Sequence, residues 1–299
     1  MSESITARRN SANRPGEEVL VFRHHKIRKG YHQAFKQASE RGVWLVYEKI
    51  GSRVVGDFKV IYPKDGGSND YDENYRLARY ASYEHWVETR QPGNIIGDGP
   101  LLDLSQGGGS TRRQYLLGSD GAYFMTGRMF EDVPYHLPGL DEDFELTSDP
   151  GAQPGPVRYD IPTPGDEEVI DFEYWKIRKG SFDNFDALTR DGMTPVISKM
   201  GARGIGLWRC IYPEPARGEE SADYDEAVML TRYASYQHWQ AAQTPAALIG
   251  NGPDYQEWER ANQARNKLVL DHSRRFLDGE LYRSPPTYIP VLNENYNLV

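Results

Sequence analysis

The chain has 299 residues, 35 Lys and Arg against 44 Asp and Glu, and a formal net charge of −9. That length provides one large domain or two ordinary ones, and 38% apolar with 26% charged residues is the balance of a chain that buries a core. No run approaches the roughly 20 apolar residues of a membrane-spanning helix, the opening MSESITARRNSANRPGEE lacks the apolar stretch of a secretory signal, and the lone Cys210 excludes an intrachain disulfide or a cysteine-rich zinc site. No membrane insertion and a cytoplasmic location are therefore expected.

In chain order, residues 1–16 read as a flexible tail. VLVFRHHK, from Val19, alternates as a strand, and the turn KIRKG (Lys26 to Gly30) leads into a helix with apolar spacing at Ala34, Phe35 and Ala38. Gly51 stops that helix in the left-handed manner. A second strand, RVVGDFKVIYP, ends at Pro63, and NYRLARYAS is a third. Ser82 suits the N-cap of a helix carrying YEHW, and a further charged helix precedes a short strand near GRMF. The run QGGGS, Gln106 to Ser110, lacks the ending of a phosphate loop and reads as a flexible loop.

The same string then repeats. KIRKG returns at Lys176 to Gly180 and IYP at Ile211, both at an offset of 150, while DYDE (Asp70, Asp223), RYASYxHW (Arg79, Arg232) and IGxGP (Ile96, Ile249) recur at an offset of 153. Repeats this long indicate two domains of one fold rather than a solenoid. The order β-α-β-β-α-β is that of the ferredoxin-like unit. The expected class is α+β, with two tandem ferredoxin-like domains, residues 17–137 and 167–299, joined by a Pro- and Gly-rich acidic linker at 138–166. Each unit leaves one sheet face without helices, so the two copies are expected to close an intrachain pseudo-dimeric α/β barrel.

GSRVVGDF (Gly51 to Phe58) and GARGIGLW (Gly201 to Trp208) resemble the G-x-x-x-x-G-x-aromatic signature of the NIPSNAP family of dimeric α/β-barrel proteins. RYASYEHW and RYASYQHW resemble that family's passage from strand to helix. The resemblance spans both halves and implies a ferredoxin-like fold with association of sheets; relatives on this fold include cofactor-free oxygenases, haem enzymes and binding proteins, so it implies little about reaction. The family's first-strand trio Glu-x-Arg-x-Tyr is replaced here by Val21, Arg23 and His25 in the first half and by Asp171, Glu173 and Trp175 in the second.

Strand alternation puts Val21, Arg23 and His25 on one face and Phe22 and His24 on the other. Phe22 recurs as Phe172, which suggests the helix-covered core, so the first set is expected to look into the barrel. There Arg23, His25, Asp171 and Glu173 are either the acid, base and anion holder of a proton-transfer site or an inter-domain salt bridge. Trp175, Tyr62, Tyr212 and Trp208 would line the interior or fill its core, and of each repeated pair, Arg79 with Tyr80 and Arg232 with Tyr233, one residue faces inward, to bind substrate or to pack. His85 and His238 recur and read as structural, with a haem ligand or general base as the other reading. His24, His25 and His32 do not form a metal site, since neighbours on a strand point apart.

The expected function is an enzyme acting on an apolar or aromatic organic acid or ketone by proton transfer, of isomerase, lyase or cofactor-independent oxygenase type, with no cofactor and no metal. Arg23 would hold an anion, His25 act as base, and Asp171 or Glu173 set its ionisation. The alternatives are a non-catalytic ligand-binding or scaffold protein and a haem protein of related fold. A homodimer is expected. From Glu131 to Glu168, across the connector and its flanks, eleven acids (Glu131, Asp132, Asp141, Glu142, Asp143, Glu145, Asp149, Asp160, Asp166, Glu167, Glu168) face one base, Arg158, so the charge of −9 belongs there. Nucleic acid is disfavoured by the absence of a basic stripe, whereas a small anion is not.

Overall fold

A computed structural model describes residues 19–49, 52–62, 70–80, 83–118, 121–129, 168–213 and 219–281. The expected tail at 1–16 and linker at 138–166 lie outside them, as do Ser82 and the side chains of Tyr62 and His85. The fold is α+β, and the chain forms two compact units, one holding β1 to β4 and most of β5, the other holding β6, β8 and most of β7 and β9. No described helix is long and apolar enough to cross a membrane.

In the first unit β1 (Val19–Arg28) is followed by α1 (His32–Ala38), a π-helical turn (Ser39–Val43) and α2 (Leu45–Lys49). Then come β2 (Arg53–Tyr62), β3 (Tyr71–Tyr80), α3 (Tyr83–Glu88), α4 (Gly93–Ile96), α5 (Pro100–Tyr115), β4 (Leu116–Gly118) and β5 (Ala122–Met129). The strands pair antiparallel in the order β2-β3-β1-β5, with β4 against the far end of β1.

The second unit runs β6 (Val169–Arg178), α6 (Phe182–Ala187), a π-helical turn (Leu188–Met193), α7 (Thr194–Lys199), β7 (Arg203–Ile211), β8 (Tyr224–Tyr233), α8 (Tyr236–Ala242), α9 (Pro245–Ile249), α10 (Pro253–Asn266) and β9 (Val269–Leu281). Its antiparallel order is β7-β8-β6-β9.

Several sequence repeats have local causes. Gly30 and Gly180 sit at φ of 81° and 74°, where glycine meets no Cβ penalty. Their N–H groups donate to Asp72 at 2.9 Å and Asp225 at 2.8 Å. Lys29 and Lys179 reach the same two carboxylates, so KIRKG and DYDE form one clamp in each unit. Gly201, at φ 89°, ends its helix as expected. Gly206 supplies the G-x-aromatic spacing: a Cβ there would lie 2.3 Å from the Trp208 ring.

QGGGS is not a loop. It lies in the middle of α5, where Gly108 abuts the π-helical turn so closely that a Cβ on Gly42 would come within 2.5 Å of the Gly108 Cα. The second unit makes the corresponding crossing with Gly192 against Ala261, again with no room for a larger residue. The single helix expected between KIRKG and Gly51 is likewise broken by the π turn, whose register shift the apolar spacing does not encode.

Candidate functional site

The alternation on β1 is as expected, but the assignment of its faces is reversed. Val19, Val21, Ala78 and Tyr80 pack with Trp44, at the end of the π-helical turn, and with Leu45 to Tyr47 of α2, so the face carrying Arg23 and His25 lies under the helices. Phe22 and His24 stack with Tyr75, and Phe22 also packs with Phe58, on the opposite face. Asp171, Glu173 and Trp175 follow the same rule, Trp175 packing with Phe185 of α6. The inference failed because both faces of these strands are apolar and buried, so a repeated phenylalanine does not distinguish them.

In the second unit, Asp171 and Glu173 line a chamber of about 240 Å³ between β6, β8 and β9 and the helices. Its walls include Met193, Ile197, Met200, Met229 and Trp258, with Thr231, Tyr233, Asn262 and Arg265 as polar groups. β9 places Arg274 opposite Glu173 in register. Arg274 Nε donates to Asp171 Oδ1 at 2.8 Å and its Nη2 to Glu173 Oε1 at 2.5 Å. Trp239 Nε1 donates to Asp171 Oδ2 at 3.1 Å, and His272 Nε2 to Glu173 Oε1 at 3.1 Å. Among the described residues nothing donates to Glu173 Oε2.

Two adjacent buried carboxylates served by one guanidinium do not ionise alike. Burial and the neighbouring Glu173 push Asp171 well above the carboxylate range, despite Arg274 and Trp239. Burial opposes the ionisation of Glu173 too, but the His272 hydrogen bond and the charges of Arg274 and Arg265 outweigh it and hold that group low. The two neighbouring carboxyl groups are thus driven in opposite directions, Asp171 toward holding its proton and Glu173 toward losing it. Tyr233 is raised by burial and by both acids, so it enters as a neutral phenol.

In the first unit, Arg23 sits opposite Arg76 on β3. Burial lowers His25 well below the usual imidazole value, followed by Arg112, whose Nη2 lies 3.5 Å from its Nε2. Taking up a proton would make His25 a buried cation beside Arg112, Arg76 and Arg23, which argues against the role of base expected for it. Asp171 and Glu173 are engaged by Arg274, Trp239 and His272 of their own unit, so setting the ionisation of His25 is not what occupies them.

The repeated pairs divide as alternation requires. Tyr80 and Tyr233 lie on the helix side, while Arg232 lies on the other face, bonded to Glu168. Arg79 shares that face in β3 by register. Trp208 is fully buried and Tyr212 half-buried. His238 is structural: its Nδ1 accepts from the Ala234 N–H and its Nε2 donates to the Met200 carbonyl, leaving no ring nitrogen for an iron. His24 bonds Glu73 and His32 bonds Asn74.

Sequence reasoning missed Arg76, Arg112, Arg265, Arg274 and Tyr47. Arg112 and Arg265 carried a usable signal, since they recur at the offset of 153; the others are unmatched between the halves. A larger surface groove, about 430 Å³, lies beside Gly42 and Gly108 and contains none of these residues.

No family model matches the chain, and no curated protein does. Among solved structures, a candidate monooxygenase from Fusobacterium nucleatum aligns with a TM-score of 0.48 and 9% identity, covering 88% of this chain and 92% of that one. An anthrone oxidase-like protein aligns at 0.46 and 14%, covering 90% and 94%. An uncharacterised NIPSNAP domain protein from Burkholderia xenovorans aligns at 0.27 and 17%, covering 40% of this chain and 96% of its own.

Proposed function

We propose that the chain is a small-molecule enzyme that moves a proton on a small ketone or organic acid, in the chamber beneath the helices of the second unit. We further propose that its halves are tandem NIPSNAP-like, ferredoxin-like domains, residues 17–137 and 167–299, in a cytoplasmic homodimer. The observation that carries the catalytic reading is the Asp171–Glu173 pair, two carboxyl groups two residues apart with opposite protonation preferences, facing one cavity. Pairs whose environments separate their pKa values are the usual form of an acid and base working together.

In this reading the substrate carbonyl oxygen takes a hydrogen bond from protonated Asp171, and Glu173 Oε2 removes a proton from the adjacent carbon. The C–H electron pair moves into an enolate whose oxygen the Asp171 proton continues to stabilise, and the proton returns from Glu173 to the same carbon, so nothing is oxidised or reduced. Arg274 positions both carboxyl groups, and the methionines and Trp258 accept the apolar part of the ligand. The volume, about 240 Å³, lies below the roughly 300–1,000 Å³ of drug-sized sites and suits a small substrate.

Incubating the protein in heavy water with a panel of small ketones and keto acids tests this by deuterium incorporation next to the carbonyl. Asp171→Asn and Glu173→Gln should each lower exchange by about 10²-fold or more while leaving the circular dichroism unchanged. Exchange at the native rate in Asp171→Asn would overturn the assignment.

A further inference from the structure

We propose that the first unit holds a second and separate site, for a small carboxylate anion, formed by Arg23, Arg76 and Arg112 around the phenol of Tyr47. Arg76 is 2% exposed and Arg112 9%. Among the described residues none of the three guanidiniums forms an ion pair, and the Nε of each is buried without a hydrogen-bond partner. Arg23 and Arg76 stand directly opposite each other across β1 and β3, where like charges destabilise a sheet. Buried guanidiniums that form no ion pair are costly to keep, so a fold that gathers three of them has a reason to do so.

The second unit shows what balance looks like. Glu173 occupies the position of Arg23, and Arg274 stands opposite it where Arg23 faces Ala122. Arg265 matches Arg112 in the repeat, and there it lines the chamber of Asp171 and Glu173, where its charge favours ionised Glu173. The described acid among the first unit's guanidiniums is Asp57, opposite Arg76 in register and favouring its charge without an ion pair; its Oδ1 already accepts from Asn74 and burial disfavours its ionisation.

The remaining groups around the cluster act as partial substitutes for an anion. Burial works against ionisation of Tyr47, yet Arg76, Arg112 and Arg23 pull its phenol down to about 8. Tyr80 and His25 also face it, the first raised by burial and by Tyr47, the second held neutral. Guanidinium forks match a carboxylate in two-point geometry. The rings of Phe35, 4.5 Å beneath Arg112, and Tyr47, 5.2 Å from Arg76, offer flat apolar surface for an organic residue attached to it. Arg23 is only half-buried and senses the exposed Arg90, which gives the cluster a cationic approach from solvent.

Calorimetric titration of the full chain with sodium benzoate, against sodium chloride at equal ionic strength, tests the site. The expected result is one benzoate per chain, weakened tenfold or more in Arg23→Gln and unchanged in Asp171→Asn, which separates this site from the proton-transfer chamber. Near pH 8 binding should take up a proton, seen as a dependence of the heat on the buffer's ionisation enthalpy. Tyr47→Phe should abolish that uptake and still bind. Absence of benzoate binding, equal displacement by chloride, or native affinity in Arg23→Gln would each overturn the proposal.

Discussion

Arg274 binds Asp171 through one nitrogen and Glu173 through another, so removing it leaves two carboxyl groups in a chamber with no other ion-paired guanidinium on them among the described residues. Breaking a buried pair costs roughly 3–5 kcal/mol. Because the Arg274 side chain keeps 29% exposure, the low end applies, and Arg274→Gln should lose about 3 kcal/mol in urea unfolding. The two acids also give opposite pH signatures. Glu173, held low, contributes stability above the ordinary carboxylate pKa that is lost as pH falls; Asp171, held high, opposes folding increasingly as pH rises through its range. Turnover should accordingly rise as Glu173 ionises and fall as Asp171 loses its proton, a bell-shaped profile whose alkaline limb disappears in Asp171→Asn if any activity survives. In the other unit, one of the 20 tyrosines should titrate near 8 in ultraviolet difference spectra, and that early step should vanish in Tyr47→Phe.

The elements near these residues are held by backbone approach as much as by side chains. Gly107 and Gly108 are neighbours in α5 with opposite expected responses to alanine. A Cβ at Gly107 meets nothing within 4 Å, so Gly107→Ala should gain up to about 1 kcal/mol of helix propensity. A Cβ at Gly108 would lie 2.6 Å from the Gly42 Cα, so Gly108→Ala should cost about 1–3 kcal/mol in overpacking, both read from thermal melts. This crossing shows why QGGGS was misread. Three glycines announce a loop when local propensity is all that is visible, whereas the requirement for small residues comes from a helix 66 positions away in sequence. Ser235, which repeats Ser82 in RYASYxHW, caps its helix for a local cause that the repeat makes legible: its hydroxyl accepts from the His238 N–H three residues on.

At the scale of the molecule, element order and the repeated turns could be read from the chain, because alternation, glycine placement and duplicate motifs are short-range or self-referential signals. Which side of each sheet the helices cover could not, since Val21 and Phe22 are both fully buried and hydrophobicity alternates on neither face. That one reversal moved Arg23, His25, Asp171 and Glu173 from the bare side of the sheet to the space beneath the helices. It also hid the partners that matter, since Arg112 and Arg265 come from helices whose exposed and buried positions look alike in composition. The unequal charge of the two chambers was visible only once those helices were in place.

Cys210 lies in β7, 4% exposed, and the chain has no other thiol. A single buried sulfur turns chemical modification into a clock. Alkylation can proceed only during excursions that uncover β7, so its rate, divided by that of an unstructured thiol, reports the free energy of opening that strand and nothing else in the chain.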